Sequence, residues 1–272
     1  QADFKQKFKA GMLTAGAKLT YRSNDIYHQF YEDGEYSDAF SNDLLHTELI
    51  PAAYVLFSSK IGKKFTYKAG LRGEFSTVTL TSSHEGLDVR NNDFFVSPSL
   101  SGTLRLAENQ ELSLAFSRRV GRPAYPQLNP YMSMVDATTY EQGNMHLRPE
   151  KSSKLDLGYN LKSSKVQIFA DAYVNYTTDY ISQITKISDG LLITTYINGT
   201  SDLKAGADLS FKLLPAKWMS ATLSANTFYV NTKGNFEGAD IDNRGVSNNS
   251  NILLDFLPGK STDIQLQYFL TT

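Results

Sequence analysis

The stretch 116–160 reads FSRRVGRPAYPQLNPYMSMVDATTYEQGNMHLRPEKSSKLDLGYN and joins two segments in which apolar and polar residues alternate. Its centre, 122–150, holds four prolines and has no regular period. A connection of this length is unusual inside a compact soluble domain, whereas one rim of a membrane barrel regularly carries long connections. The remaining connections of the chain decide between these two architectures.

Composition excludes several classes of protein. The 272-residue chain has a net charge of −1 and no basic stripe, which argues against a nucleic-acid partner. It has no cysteine, so disulfides, thiolate metal ligands and a cysteine nucleophile are excluded. The four histidines show no metal-binding spacing, and no phosphate-loop, dinucleotide or serine-hydrolase motif occurs. The sequence therefore predicts neither a metal site nor an enzyme.

Period-two alternation predicts eleven antiparallel strands, and the connections between them sort into two kinds. The strands span 9–22, 44–59, 64–80, 93–107, 110–121, 151–162, 165–178, 201–214, 217–231, 247–257 and 260–271. Short and long connections alternate along the chain, the long ones being 23–43, 81–92, 122–150, 179–200 and 232–246. Up-and-down neighbours would place all short turns on one rim and all long loops on the other. This is typical of a transmembrane β-barrel with short periplasmic turns and long extracellular loops.

The two faces of each strand differ in polarity. In 93–107, Phe94, Val96 and Leu100 share one face, and serines share the other. A soluble sheet with one buried face would alternate in the same way. On the apolar face, however, aromatic residues cluster near both ends of the strands, as Phe65 and Phe75 do. Their ten-residue separation spans roughly 25 Å along a tilted strand, the height expected between two aromatic girdles. We predict an all-β, antiparallel, up-and-down transmembrane β-barrel.

Two features strain this prediction. Pro51 and Pro98 lie inside predicted strands, where each removes a ladder hydrogen bond unless a bulge absorbs it. Eleven strands cannot close a bacterial barrel, which has an even number, and an open edge in lipid would leave backbone groups unpaired. We therefore expect residues 1–272 to be a single β-barrel domain fragment that forms a partial barrel, with terminal strands absent.

Three motifs carry a family resemblance. They are FFVSPSLSGTLRL (94–106), FSRRVGRPAYPQLNPY (116–131) and YEQGNMHLRPEKSSKLDLGY (140–159). In order and spacing they resemble the C-terminal barrel of TonB-dependent outer-membrane receptors, most closely a Bacteroidetes-type outer membrane protein beta-barrel family. Met145 departs from the family, which often has proline there, and a looser turn is expected.

The resemblance implies a location in the outer membrane of a Gram-negative bacterium and a function in nutrient import. In such receptors an extracellular ligand (a siderophore, vitamin, glycan or peptide) binds at the loop rim. A plug domain inside the barrel then rearranges, and the TonB complex supplies the energy. Outer-membrane lipid and a surface lipoprotein are further partners. The plug domain and the TonB box are absent from 1–272.

Candidate site residues fall into four groups. Aromatic residues of the long loops are candidate ligand contacts: Tyr27, Phe30, Tyr31, Tyr36, Tyr125, Tyr131 and Tyr140. Arg119, on the lumen face, is a candidate contact to a plug or an anionic ligand, or a member of a lumen ion pair. The family motif is interpreted as a corner between loop and strand: Arg122, Pro123, Asn129, Pro130, Gly143, Asn144, Leu147, Pro149 and Glu150. No cofactor is predicted, although the carboxylates of 23–43 form either a solvated acidic loop or a Ca²⁺ site.

Two alternatives stay open at this point. An outer-membrane lipase or protease would need a catalytic cluster at the rim, and His28, His84 and His146 lie in or beside long loops. A soluble glycan-binding β-protein would instead bury Val166, Ile168, Val174 and Leu209 against a second sheet. The direction of the apolar face therefore separates the membrane fold from the soluble one.

Overall fold

A computed structural model describes residues 1–32, 34–82, 87–259 and 261–272, without the side chains at 28, 30, 32, 37–40 and 42. Twelve strands form one antiparallel sheet in which neighbours in space are also neighbours along the chain, as predicted. They are β1 (Ala2–Phe8), β2 (Gly11–Glu32), β3 (Glu35–Ile61), β4 (Phe65–Ser82), β5 (Leu87–Ala107), β6 (Gln110–Gly121), β9 (Glu150–Lys162), β10 (Val166–Thr178), β13 (Ser201–Ala216), β14 (Met219–Phe236), β15 (Ala239–Gly259) and β16 (Thr262–Thr271). The all-β up-and-down fold is confirmed.

A second, four-stranded sheet is built from the connections. It contains β7 (Met132–Met134), β8 (Thr139–Gln142), β11 (Ile181–Ser188) and β12 (Leu191–Asn198), and a single helical turn, α1 (Tyr125–Leu128), precedes it. The pairing of β12 with β8 is parallel. We call the end of the main sheet that carries this second sheet the upper rim, and the end with the short turns the lower rim.

The apolar face of the main sheet points outward and is uncovered. Leu100 is 57% exposed, Val174 is 44% exposed and Leu209 is 41% exposed. No second sheet packs on this face among the described residues, so the soluble interpretation is wrong. The inner face is polar or buried, with Phe95 only 5% exposed. An apolar outer band around a charged interior is the arrangement expected of a barrel wall in lipid.

The predicted strands were too short at the upper rim. β2 and β3 run on through most of 23–43, β4 and β5 shorten 81–92 to 83–86, and β14 and β15 leave only a turn within 232–246. The segment 179–200 holds the β11–β12 hairpin. Alternation weakens above the aromatic girdle because no lipid selects one face there, but backbone pairing continues wherever a partner strand is present.

The sheet is open in the part of the chain that the structure describes. β1 pairs only with β2, and β16 pairs only with β15. β1 was missed by sequence analysis because it is short and has Phe4 and Phe8 as its only large apolar residues. None of the described helices is long and apolar enough to cross a membrane.

The two strand prolines interrupt pairing without a bulge. Beside Pro51 the β3–β4 ladder skips two residues and resumes in the same register, between Leu49↔Thr77 and Ala52↔Glu74. Pro98 pairs with Leu71 of β4, and the β5–β6 ladder begins one residue later, at Ser99↔Ser117. Each proline therefore lies where a ladder is interrupted or ends, and neither position has the bulge that could have absorbed it.

Candidate functional site at the upper rim and inner wall

The connection 122–149 folds back onto the inner face of the wall. Leu128 and Leu147 are each 3% exposed and pack with Leu44 of β3 and Leu80 of β4, which are fully buried. This small apolar core lies above the outer apolar band. Burial of four leucine side chains fixes the connection against β3 and β4 and narrows the upper mouth of the barrel.

The sequence Gly143–Asn144 makes a tight corner against α1. The Gly143 N–H donates to the Asn129 carbonyl at 2.7 Å, and the Asn144 N–H donates to the Gln127 carbonyl at 2.7 Å. A Cβ atom at Gly143 would lie 2.5 Å from the Asn129 carbonyl oxygen, closer than real contacts allow. Glycine is needed at this position because the two backbone segments approach so closely.

The rest of the motif binds the β11–β12 hairpin. The Asn144 side-chain amide donates to the Tyr196 carbonyl at 3.0 Å, and the Arg148 N–H donates to Asn198 Oδ1 at 2.8 Å. Glu150 Oε2 accepts from the Ile181 N–H at 3.2 Å. Pro149 is buried. The motif thus connects the start of β9 to the second sheet through hydrogen bonds of the chain itself.

An ion-pair cluster lies on the inner wall below the corner. Glu74 accepts from Arg72 Nε at 2.5 Å and from Arg122 Nη2 at 2.6 Å, so two cations share one carboxylate. Phe95 lies beneath two cations, with Arg122 at 5.8 Å and Lys151 at 6.0 Å from the ring centroid. The ring face favours both cations, which cover it on the inner side of the wall.

A second polar cluster lies higher on the same wall. His46 and Glu48 are 3% and 4% exposed, and Arg22 Nη1 donates to Glu48 Oε2 at 3.0 Å. The Asn24 amide lies 3.2 Å from His46 Nδ1, and the Tyr125 ring packs 6.1 Å from the imidazole. Burial holds the pKa of His46 below its usual value despite the neighbouring Glu48 carboxylate. The imidazole is therefore kept neutral near pH 7.

A family model described as "Outer membrane protein beta-barrel family" matches residues 1–272, the whole chain. The chain belongs to this family. The protein is therefore an outer-membrane barrel of a Gram-negative bacterium, and its upper rim is extracellular because long connections lie on that side. The resemblance found from the three sequence motifs is confirmed at the level of family and fold.

Solved structures of transporters and receptors share this fold. "Copper transporter OprC" superposes with a TM-score of 0.66 at 13% identity, over 97% of this chain and 48% of its own. The FrpB iron transporter from Neisseria meningitidis (F3-3 variant) superposes with a TM-score of 0.57 at 14% identity, over 99% of this chain and 50% of its own. The ferric yersiniabactin uptake receptor FyuA from Yersinia pestis superposes with a TM-score of 0.54 at 13% identity, over 98% of this chain and 44% of its own. This chain spans about half the length of these three proteins. Among curated proteins, none matches its sequence.

The predicted aromatic contacts divide into two sets on the outer-membrane barrel. Tyr27, Tyr31 and Tyr36 lie on the β2–β3 hairpin and are 71%, 55% and 52% exposed. Tyr31 and Tyr36 are register partners whose rings meet edge to face at 5.8 Å. The side chain of Phe30 lies outside the described residues. This hairpin presents aromatic surface to the outside, and ligand contact there stays a prediction.

The second set belongs to the connection 122–149. Tyr125 and Tyr131 pack against the leucine core, and Tyr131 Oη also bonds with Ser82 Oγ. Tyr140 is half-buried, and its hydroxyl donates to Met134 Sδ at 3.7 Å. Tyr125 and Tyr131 therefore contribute to the packing of the connection, and a ligand would meet them only after the connection moves.

The remaining motif residues also contact the chain itself. The Pro130 carbonyl accepts from Gln142 Nε2 at 2.8 Å, and Asn129 Oδ1 accepts from the Tyr131 N–H at 3.2 Å. Pro123 is half-buried just before α1, whereas Arg119 is exposed. A plug or ligand contact for Arg119 stays a prediction.

Four inner-wall residues were not identified from sequence: His46, Glu48, Glu74 and Phe95. The alternation of polar and apolar residues could have placed all four on the inner face. The pairing of Glu48 with Arg22, however, follows only from the register between β2 and β3. The contact of Arg122 with Glu74 joins residues 48 positions apart, and it depends on how the connection folds. No local sequence signal could have found that pair.

The described part of the barrel contains no assembled site for a metal ion. Among these residues, no group of three or more His, Asp or Glu is arranged to hold a metal ion. Asp33, Glu85 and the side chains of Glu32 and Asp38 lie outside the description. The Ca²⁺ hypothesis for 23–43 therefore stays a prediction.

Proposed function

We propose that this chain is the barrel of a TonB-dependent outer-membrane receptor that imports a scarce nutrient. The ligand binds at the extracellular rim and enters the lumen when a plug domain rearranges, with energy supplied through the TonB complex. A surface lipoprotein partner is part of the same proposal. The chain makes and breaks no covalent bond in this process, because binding and gating are sufficient for import.

The observation that carries this proposal is the contrast between the two faces of the wall. The outer face is apolar and exposed, and the inner face presents charged groups such as Arg72, Glu74 and Lys154. A charged interior behind an apolar exterior suits a polar route across a membrane. The connection 122–149 narrows the mouth of that route at the extracellular end.

The compared barrels support a metal-bearing nutrient as the first ligand to test. Their names refer to copper, iron and ferric yersiniabactin. The exposed Tyr31–Tyr36 pair offers ring faces to the planar groups of a chelate. Vitamins, glycans and peptides form the second group of candidates.

The test uses the full-length protein in its own outer membrane. A strain lacking the gene is compared with a complemented strain for uptake of labelled ferric chelates and copper, then of vitamins, glycans and peptides. We expect saturable uptake of one ligand class that disappears when the TonB complex is deleted. Uptake of every class that is equal with and without the gene would refute the proposal.

The alternative of a barrel enzyme is tested in parallel. The compared structures are named as transporters and receptors, which supports a protein without catalysis. His146 is exposed, whereas His84 and the side chain of His28 lie outside the described residues. Hydrolysis of ester or peptide substrates by the purified full-length protein, abolished by His146→Gln, would favour the enzyme instead.

A further inference from the structure

Four lysines surround a recess on the inner face at the periplasmic end of the barrel. The recess has a volume of about 620 Å³, and Lys7, Lys9, Lys60 and Lys68 line it together with Ser58, Ser59 and Thr66. These residues come from β1, the β1–β2 turn, β3 and β4. The strands are consecutive neighbours, so the four ammonium groups form one surface.

The strand faces show that this surface points into the lumen. On β1, Phe4 and Phe8 are exposed on the outer face at 57% and 50%, and Lys7 lies on the opposite face. Lys68 pairs with Ser58 and shares a face with Arg72 and Glu74. Lys60 shares the face of buried Glu48 and Ala52. Lipid headgroups therefore lie on the other side of the wall.

The lysines are not neutralised by the chain itself. No Asp or Glu lies within 4 Å of any of the four among the described residues, and none of the four has another recorded polar partner for its ammonium group. Asp3, the carboxylate of β1, is already bonded to Tyr54 Oη and to Gln1 Nε2. Like charges held together in this way repel each other, and an anion that lies between them lowers this repulsion.

The spread of the charges indicates the kind of partner. Three strand spacings separate Lys7 on β1 from Lys68 on β4, or about 14 Å. A backbone row of this length is several times wider than one carboxylate or phosphate, so one small anion would leave part of the row without a partner. An extended polypeptide advances about 3.3 Å per residue, so a segment of roughly five residues with several carboxylates would span them. The Ser58 and Thr66 hydroxyls on the recess floor can donate further hydrogen bonds to the same carboxylates.

We propose that this lysine recess is the docking surface for an acidic polypeptide segment that lies inside the lumen at the periplasmic mouth. The inference rests on the proposed function only for its setting, a barrel whose lumen is occupied by another segment. The recess holds that segment against β1–β4 by paired charges. Since exposed pairs contribute modestly and are screened by salt, the contact can be released when the segment moves.

The test is photocrosslinking in the full-length receptor in outer membranes. A photoreactive p-benzoylphenylalanine replaces Thr66 on the recess floor, and a control replaces Leu71, which is 50% exposed on the outer face. We expect the Thr66 probe to join a peptide carrying at least three carboxylates within about seven residues, and the Leu71 probe to join lipid. An adduct of the Thr66 probe with lipid, with a peptide lacking acidic residues, or with nothing would overturn the proposal.

A matched charge series separates docking from net charge. The recess variant changes Lys7, Lys9, Lys60 and Lys68 to Gln, and the control changes Lys63, Lys64, Lys165 and Lys217, which lie at the lower rim outside the recess. We expect the peptide adduct to fall about tenfold in the first variant only, since four weak pairs together account for such a factor. Equal adducts in both variants would contradict docking.

Folding and transport are measured in the same strains. Heat-modifiable migration in gels checks that each variant is a folded barrel. If the recess variant loses the peptide adduct but ligand uptake does not depend on the TonB complex, the proposed function is contradicted and the docking surface stands. If the receptor with all four native lysines takes up its ligand fully but the Thr66 probe joins no acidic peptide, the docking surface alone is overturned.

Discussion

The two ends of the same inner wall differ in where their partners come from. At the extracellular end, Glu74, Glu48 and Asp179 each have cations from this chain as partners, and the leucine core is closed. At the periplasmic end, four lysines line a recess and have no carboxylate partner among the described residues. The charges of the first region are paired within the chain, whereas the lysines of the second region are available to a partner segment. Changes at the first should therefore alter stability, and changes at the second should alter association.

The largest loss is expected from Leu147→Ala in the core of the extracellular end. Leu147 is 3% exposed, so truncation leaves a cavity and should cost about 3 kcal/mol. The free energy of unfolding in urea and the rate of chymotrypsin cleavage after Tyr140 in the full-length receptor measure this. Leu192→Ala, at a site 41% exposed in the second sheet, is the control. Equal losses in both variants would show that the connection 122–149 is not anchored by its core.

The next loss is expected from Glu74→Gln. Both Arg72 and Arg122 then lose their shared carboxylate, at a cost of about 2 kcal/mol. Glu111→Gln removes a looser, exposed pair with Arg105 at 3.4 Å and should cost less than about 0.5 kcal/mol. A double-mutant cycle with Arg122→Gln in urea denaturation gives the coupling. Strict additivity would mean that the 2.6 Å contact contributes nothing.

Acid should weaken the extracellular end through His46. Because the pKa of His46 is lowered in the folded protein, the unfolded chain binds the proton more readily than the folded one below about pH 6.5. Stability contributed by the neutral imidazole is therefore present above that pH and is lost as the pH falls, by at most about 1.4 kcal/mol per unit. Urea midpoints between pH 7.5 and 5 measure the slope. His46→Gln should flatten it, and an unchanged slope in this variant would contradict the role of His46.

The smallest change in stability is expected from Tyr31→Ala and Tyr36→Ala. Both side chains are more than half exposed, so the free energy of unfolding should move by no more than about 0.5 kcal/mol. Binding of the imported ligand should weaken measurably if the aromatic pair contacts it. Tyr21→Ala, at a 66% exposed site below the hairpin, is the matched control. A ligand affinity unchanged in both hairpin variants would move the binding site elsewhere.

The barrel wall was predictable because its pattern repeats. Each strand carries the same period, so Phe94, Leu100 and Val174 could be assigned to the outer face before any contact was known. Tight turns such as Glu108–Asn109 mark the strand ends clearly in the sequence. β1 and the upper parts of β2–β5 were missed because few apolar residues mark their faces.

The candidate site was much less predictable. The motif residues Gly143 and Asn144 stand out in the sequence, but only the folded connection shows that they contact Asn129, Gln127 and Tyr196. The Glu74–Arg122 pair depends on a connection whose path no period encodes. The lysine recess likewise needs the lateral order of β1 to β4, and β1 was not predicted at all.

The end of the β5–β6 ladder at Pro98 has a mechanical consequence. From Leu87 to Ser97, β5 pairs only with β4, and from Arg118 to Gly121, β6 pairs only with β9. Above Pro98 the wall is thus two leaves with a seam between them, and no backbone ladder crosses it among the described residues. Side-chain contacts hold this seam together, among them Arg122 with Glu74, Lys151 over Phe95, Tyr131 with Ser82, and the packing of Leu128 and Leu147 on Leu44 and Leu80. The extracellular mouth can therefore widen along one line while the β5–β6 pairing below Pro98 stays intact.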